Sequence, residues 1–372
     1  MNATLPGAVP VGAIDSTSPD APVAAHYGDP LREQRTLATA VGWVDRSHRG
    51  VVAVPGEERL SWLHNLTTQH LLDLPPATGT ETLVLSPHGH VEHHAQLLED
   101  GETVWLDVEP GTAGPLLKFL TGMQFLTRVE PRDATAEQAV LALVGPGAPE
   151  ALTTLGAEVP GPPDLLPVPG PKFASGTVPA RPTSRYEARP LPHGGWVRRG
   201  RLGFDLLVPR TAVGEVTEAL TAAGVPACGL WAYEALRVAG RIARLGPDTD
   251  HRTLPMEIDL VAPAVHLEKG CYRGQETVAR VHHLGRPPRR LVLLHLDGIT
   301  TDQLPRPGAA VTAGERAVGF IGTAVRHYEL GPVALAVLRR NVADDAALTV
   351  GDTAAAIDST PAAAIDSTSS ER

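Results

Sequence analysis

The sequence predicts an α+β fold that ends in a small β-barrel or sandwich, and three observations carry that expectation. Strand-like and helix-like segments alternate through the first half, a Pro-rich stretch at 159–192 interrupts them, and after Arg289 short strands alternate with Gly turns. At 372 residues and 39.2 kDa, with 42% hydrophobic residues, the chain is long enough for two or three domains. Its 37 Gly and 35 Pro follow no period, which excludes collagen. No run approaches the roughly 18 apolar residues of a membrane span. The N-terminus lacks a basic n-region and a sustained apolar h-region, so a cytoplasmic protein without membrane contact is expected.

The first strand, at 50–54, reads GVVAV. A helix is expected at 57–66, where Leu60, Leu63, His64 and Leu66 fall near one face. Strands at 81–86 and 91–98 flank Pro87-His88-Gly89 and predict a hairpin centred on Gly89, which 103–108 extends to a meander. Leu116, Leu117, Leu120 and Phe125 predict a helix at 112–126. Beyond the Pro-rich seam come a strand at 204–208, a helix at 211–223, and the terminal strand runs LVLLHL, AAVT, AVGFIGTAV and PVALAVLRR. The pentapeptide AIDST recurs at 13–17, 356–360 and 364–368 in Ala, Pro, Ser and Thr surroundings, a composition expected of disordered tails.

The formal charge is −10, with 29 Arg and three Lys among the basic residues. Two segments, 181–201 and 269–290, each carry +5 and leave −20 on the remainder. That asymmetry suits either an anionic ligand in a basic cleft or internal pairing with the acidic remainder. Cys228 and Cys271 are 43 positions apart, so neither a disulfide framework nor a CxxC pair is available. His88, His90, His93 and His94 crowd the hairpin, but alternation puts His90 and His94 on one face and His93 on the other. With no Cys or Asp to complete a set, no metal site is assigned.

The most informative stretch is 268–290, EKGCYRGQETVARVHHLGRPPRR. Gly270 and Gly274 bracket Cys271 and Tyr272, a helix is expected at 275–283, and Gly285 and Pro287 end it. Glu276 and Arg280 stand at i and i+4 in the favourable order, and His282 and His283 suit the negative C-terminus. Cys271 precedes the helix N-terminus and lies two residues from Lys269, surroundings that make a thiol reactive; a buried, inert cysteine is the alternative.

Lys269-Gly270-Cys271-Tyr272-Arg273-Gly274-Gln275-Glu276 resembles the K-G-C-[FY]-x-G-Q-E signature of the YgfZ-type folate-binding proteins, relatives of the glycine-cleavage T-protein. Asn65-Leu66-Thr67-Thr68 is similar to the family's L-T-T element. Tyr233-Glu234-Ala235-Leu236-Arg237 is similar to its Y-E-x-L-R helix, and Gly246-Pro247-Asp248 with Pro255-Met256-Glu257 to the segment before the signature. The resemblance covers most of residues 30–340. It implies three lobes around a central channel, a C-terminal barrel, and tetrahydrofolate or a one-carbon derivative bound in the channel. A pterin wants apolar walls with a few polar groups, and the glutamate tail wants cations, which the Arg-rich segments could supply. Expected folate-binding residues are Asp205, Tyr233, Arg237, Gln275, Glu276 and Arg280, with Cys271 and Lys269 as the working pair.

Two departures matter. Where the T-protein carries G-x-[IV]-x-D-D, this chain reads Gly89-His90-Val91-Glu92-His93-His94, and Arg237-Val238-Ala239-Gly240-Arg241 replaces R-I-E-A-G. An aminomethyltransferase needs that carboxylate to manage a proton. The function that the resemblance to the YgfZ-type proteins implies is a tetrahydrofolate-binding accessory protein for iron–sulfur cluster assembly or repair, including tRNA-modifying clients, working through Cys271. Its partners are iron–sulfur client or assembly proteins, with no direct nucleic-acid contact. A folate-dependent aminomethyl or one-carbon transferase is the competing reading, and a folate-binding module without chemistry the third. One candidate thiol per chain does not hold a stable cluster, which usually takes four. The expected organisation is a tail at 1–24, a folate-binding core of two subdomains at 25–240, a connecting segment at 241–288 carrying the signature, a barrel at 289–350 and a tail at 351–372.

Overall fold

The computed structural model describes residues 5–161, 164–166, 183–298 and 303–359. Among them, twelve strands form one sheet, bent into two lobes. The first lobe consists of Thr78–Leu85, Val91–Glu99, Thr103–Val108, Gly50–Pro55 and Arg132–Asp133, paired antiparallel in that order. Helices Arg59–Leu66 and Ala113–Gly122 cover it, so Trp62, Leu63, Leu116 and Leu120 pack on Val52, Leu97 and Leu106. The second lobe consists of Gly42–Asp45, Gln138–Val144, Gly203–Pro209 and Trp196–Gly200. Helices Ala148–Thr154 and Val213–Ala222 close a core of Leu141, Leu143, Leu152, Phe204, Val216 and Leu220. The strand Thr183–Pro190 joins the lobes, pairing with Trp196–Gly200 on one edge and Thr78–Leu85 on the other.

The expected Pro-rich seam thus contains a strand that ties the lobes together; its residues 167–182 lie outside the described ones. The hairpin at Gly89 forms as predicted, with φ +80° at the glycine. The helix expected at 112–126 stops at Gly122. Beyond it Gln124 donates from its side-chain nitrogen to the Val129 carbonyl at 2.6 Å, and Phe125 takes φ +39°, a left-handed turn that cannot continue a helix.

Six strands close the C-terminal barrel in the order Arg289–Leu296, Gly331–Arg339, Arg316–His327, Ala310–Ala313, Leu348–Val350 and Thr353–Ile357. The barrel therefore extends past the expected end at 350. Ala355 packs inward, and Ala356 and Ile357, the start of one AIDST copy, pair with His295 and Leu294. The last copy, 364–368, lies outside the described residues. The N-terminal stretch is also structured where a tail was expected. Val9–Pro10 pairs with Ala24–His26, and Val11 and Val23 are buried against Leu37, Val44 and Leu230. Two well-spaced apolar anchors suffice to dock a segment whose composition otherwise reads as disordered. No helix among the described residues is long and apolar enough to cross a membrane.

The helix Leu230–Ala239 lies between the second lobe and the barrel, with Val238 packed against Leu293, Val333 and Leu335. The segment that follows it packs Ile258, Leu260 and Ala264 on Leu83 and Leu85 of the first lobe. All three units thus meet around one centre.

Candidate functional site

The signature loop is assembled from anchors. Lys269 is buried, and its ammonium donates to the carbonyls of His64, Thr67 (2.6 Å) and Gln69 (3.2 Å), which satisfies backbone acceptors at and beyond the end of helix Arg59–Leu66. Burial pushes Lys269 down to about 8. Lys269 was expected as a partner of the thiol; its three hydrogen bonds all go to backbone. Tyr272 is buried with its ring 5.3 Å from that ammonium, and Gln275 returns its side-chain nitrogen to the Lys269 carbonyl at 3.2 Å.

Gly274, at φ +81°, begins the helix Gln275–Leu284 where a Cβ would stand 2.5 Å from the Ser86 oxygen and 2.8 Å from the Gly89 Cα. Gly89 is equally constrained, since its own Cβ would meet Thr277 at 2.8 Å. Signature and hairpin turn thus interlock backbone to backbone, which only paired glycines allow. Arg273 reinforces the contact through Glu92 at 3.2 Å, and its guanidinium lies 5.9 Å over Phe119. Cys271 sits exposed on this loop, whereas Cys228 is buried and burial pushes its thiol up to about 12.

The expected folate residues fall in two places. Among the described residues, Glu276 and Arg280 pair only with each other, at 2.7 Å on the exposed helix face. Asp205, Tyr233 and Arg237 belong instead to a buried ionic layer at the centre. There Arg49 holds Asp107 (2.9 Å) and Glu109 (2.6 Å), and Arg198 also donates to Asp107. Arg46 donates to Asp205 at 3.1 Å and lies 4.4 Å over the Tyr233 ring. Arg244 spans Glu109 (2.8 Å), Glu234 (3.2 Å) and Asp20 (2.9 Å), while Arg237 holds Glu234 (2.7 Å) and Asp248 (2.8 Å). Asp248 in turn accepts the Thr323 N–H of the barrel at 2.6 Å. Burial alone would raise these acids; the guanidiniums override it and hold Glu109 and Glu234 below the usual carboxylate range. Among the described residues, no hydrogen bond or ion pair joins Gln275, Glu276 or Arg280 to this layer.

The two basic segments are largely paired internally. Arg185 meets Asp73, Arg201 meets Glu81, Arg289 meets Asp250 and Glu257, and Arg290 meets Asp344. Unsatisfied capacity remains in the central layer. Arg198 Nη1 is buried with no hydrogen-bond partner among the described residues. Asp205 Oδ2 lies 3.6 Å from Arg198, beyond hydrogen-bond range, and a side chain at Gly200 would press on this carboxylate at 3.0 Å.

Sequence reasoning missed a second group on the same side of the first lobe. Glu81 is 0% exposed, gripped by Arg201 at 2.7 and 2.8 Å and hydrogen-bonded by Tyr186 (3.0 Å) and His94 (2.8 Å). A carboxylate within the apolar strand Thr78–Leu85 was the available signal. His93 turns the other way, lining an apolar cavity with Leu63, Val84 and Leu116.

Residues 25–162 match the GCVT N-terminal domain, and residues 289–362 match the CAF17 C-terminal beta-barrel domain. An aminomethyltransferase of Nostoc sp. is 26% identical over 324 residues, 84% of this chain and 80% of that protein. One from Geobacillus kaustophilus is 29% identical over 318 residues, 84% of this chain and 82% of that protein. A protein of Arabidopsis thaliana named as a chloroplastic transferase is 26% identical over 288 residues, 74% of this chain, and the chain spans 60% of that relative's length. The crystal structure of glycine cleavage system aminomethyltransferase T from Bartonella henselae shares the fold, with a TM-score of 0.71 at 20% identity over 90% of this chain and 89% of that one. The two domain matches account for residues 25–162 and 289–362, and the chain shares the fold of the glycine cleavage system aminomethyltransferase T-protein.

Proposed function

We propose that the chain is a cytoplasmic, tetrahydrofolate-binding accessory protein of the YgfZ type that supports iron–sulfur cluster assembly or repair in client enzymes, tRNA-modifying ones included, through Cys271. The observation that carries this reading is the division of labour in the signature. Lys269, Tyr272, Gly274 and Gln275 each hold the loop in place, and Cys271 is left exposed on a scaffold built to present it. An exposed thiol on a rigid loop suits contact with a macromolecular partner.

The central layer offers groups that fit a tetrahydropterin. Among the described residues, Arg198 Nη1 is an unmatched donor, and Asp205 Oδ2 stands 3.6 Å from Arg198, beyond hydrogen-bond range. A pterin edge alternates donors and acceptors and complements such a pair. Asp205, Arg198 and Tyr233 are the residues that would hold the ring, and the bound folate would supply one-carbon chemistry or act as a structural ligand. Gln275, Glu276 and Arg280 would lie outside that contact.

Calorimetric titration with tetrahydrofolate tests the reading. Wild type and Cys271→Ala should bind alike, and Asp205→Asn should bind at least about tenfold more weakly, the loss of one charged hydrogen bond. No binding by wild type overturns the folate part. A second reading, a folate-dependent aminomethyl or one-carbon transferase, is favoured by the relatives named as aminomethyltransferases. Transfer of a one-carbon unit to tetrahydrofolate by the purified chain, lost in Asp205→Asn, would establish it in place of the accessory role.

A further inference from the structure

The stretch 9–26 folds back on itself. Val9–Pro10 pairs with Ala24–His26, the Val11 N–H donates to the Val23 carbonyl at 2.9 Å, and the Gly12 N–H donates to that of Ala21 at 3.2 Å. Between the paired ends, residues 13–17 and Pro19 are exposed, Val11 and Val23 are buried, and Asp20 reaches inward. Asp20 Oδ1 accepts from Arg244 Nη2 at 2.9 Å and lies 3.0 Å from His48 Nε2, and Oδ2 accepts from Arg244 Nη1 at 3.0 Å. Burial alone would raise this carboxyl, but the His48 hydrogen bond and Arg244 hold it far below its ordinary range, so it is ionised.

From Asp20 the charges alternate inward. Arg244 Nε donates to one oxygen of Glu109 at 2.8 Å, Arg49 donates to the other at 2.6 Å and to Asp107 at 2.9 Å, and Arg198 also donates to Asp107. The run ends at Arg198 Nη1, the buried donor with no partner among the described residues. Each charge between the two ends is held by at least two of opposite sign, so a change at one end is felt at the next pair.

We infer that residues 9–24 are a detachable strap whose Asp20 is a positioning residue: it holds the ionic layer in the arrangement that a tetrahydropterin meets, so strap docking and ligand binding favour each other. The inference deepens the folate reading and rests on it for the ligand's identity. Asp20 acts through Arg244, not by touching the ligand. When the strap lifts, His48 Nε2 and the Arg244 Nη atoms lose their acceptor. Arg244 is then drawn towards Glu234, 3.2 Å from its Nη1, an acid that also holds Arg237. The strap is suited to lift as a unit, because its hydrogen bonds are largely internal and its outer residues are exposed. A strap that merely covered an entrance would couple with the opposite sign, since the ligand would have to displace it.

Hydrogen exchange of the full-length wild-type chain, read by mass spectrometry with and without saturating tetrahydrofolate, needs no variant. Peptides from 9–24 should exchange about tenfold more slowly with ligand, a larger factor than for peptides from the barrel strand Gly331–Arg339. Calorimetry on Asp20→Asn, which keeps the shape and removes the charge, should show tetrahydrofolate bound about tenfold more weakly, because the coupling is reciprocal. Asp20→Glu, which keeps the charge, should recover part of that loss. Val23→Ser, which loosens the strap without touching an ion pair, should weaken binding in the same direction as D20N. Strap exchange that is unchanged or faster with ligand, or wild-type affinity in D20N, overturns the coupling and leaves the folate reading standing. No binding by the wild type overturns the folate reading, and the coupling with it.

Discussion

The signature loop and the central ionic layer use charge in opposite ways. In the loop, one buried ammonium without a carboxylate partner is held by three carbonyls, and the exposed Glu276–Arg280 pair is peripheral. In the layer, guanidiniums and carboxylates from residues 20 to 248 are matched almost completely, with the barrel joining through Thr323, and a few polar atoms are left open. The loop is therefore a mount for a single side chain, and the layer is a preorganised lining whose open positions are set by everything around them. Buried matched charges are held in register at a high cost for removing either partner.

That contrast can be broken by experiment. Glu81→Ala leaves Arg201 and His94 without their partner in a fully buried site and should cost about 3–5 kcal/mol in urea denaturation. Glu276→Ala, at the exposed loop-helix pair, should cost about 0.5 kcal/mol or less; equal losses would erase the distinction. Gly274→Ala places a Cβ 2.5 Å from the Ser86 oxygen at φ +81° and should destabilise by about 1–3 kcal/mol by the same method. A smaller effect follows from His64, whose Nδ1 accepts the Leu71 N–H at 3.2 Å beneath Lys269. Burial, then the Lys269 charge and His70, push its imidazole from 6.5 down to about 4. The unfolded chain takes up that proton first, so stability should decline as pH falls from about 6.5 towards about 4, and His64→Gln should flatten the decline in a pH series of melts. Cys271→Ser should change stability by about 0.5 kcal/mol or less, as befits an exposed side chain with no anchoring role.

The parts of the molecule written in local pattern were legible in the sequence. The Gly89 hairpin, the meander after it, the signature helix and the terminal strands all follow from alternation, turn residues and caps. The packed N-terminal segment escaped because Val11 and Val23 act through contacts with residues far along the chain, not through periodicity. At the site, Cys271 was visible as one residue of a dense motif, but the direction of the neighbouring Lys269 ammonium was not, because it depends on what the backbone of residues 64–69 offers. The ionic layer was invisible as a unit, since Asp20, Arg46, Asp107, Arg198 and Arg244 converge only through folding. Its sole local trace is carboxylates set within apolar strands, Asp107 and Asp205.

The claim that the signature exists to present one thiol is tested most directly by restoring cells that lack this protein with Cys271→Ser, and assaying an iron–sulfur enzyme alongside the level of folded protein. The account predicts wild-type abundance of the variant with enzyme activity as low as in cells without it. Full restoration of activity by Cys271→Ser would contradict it.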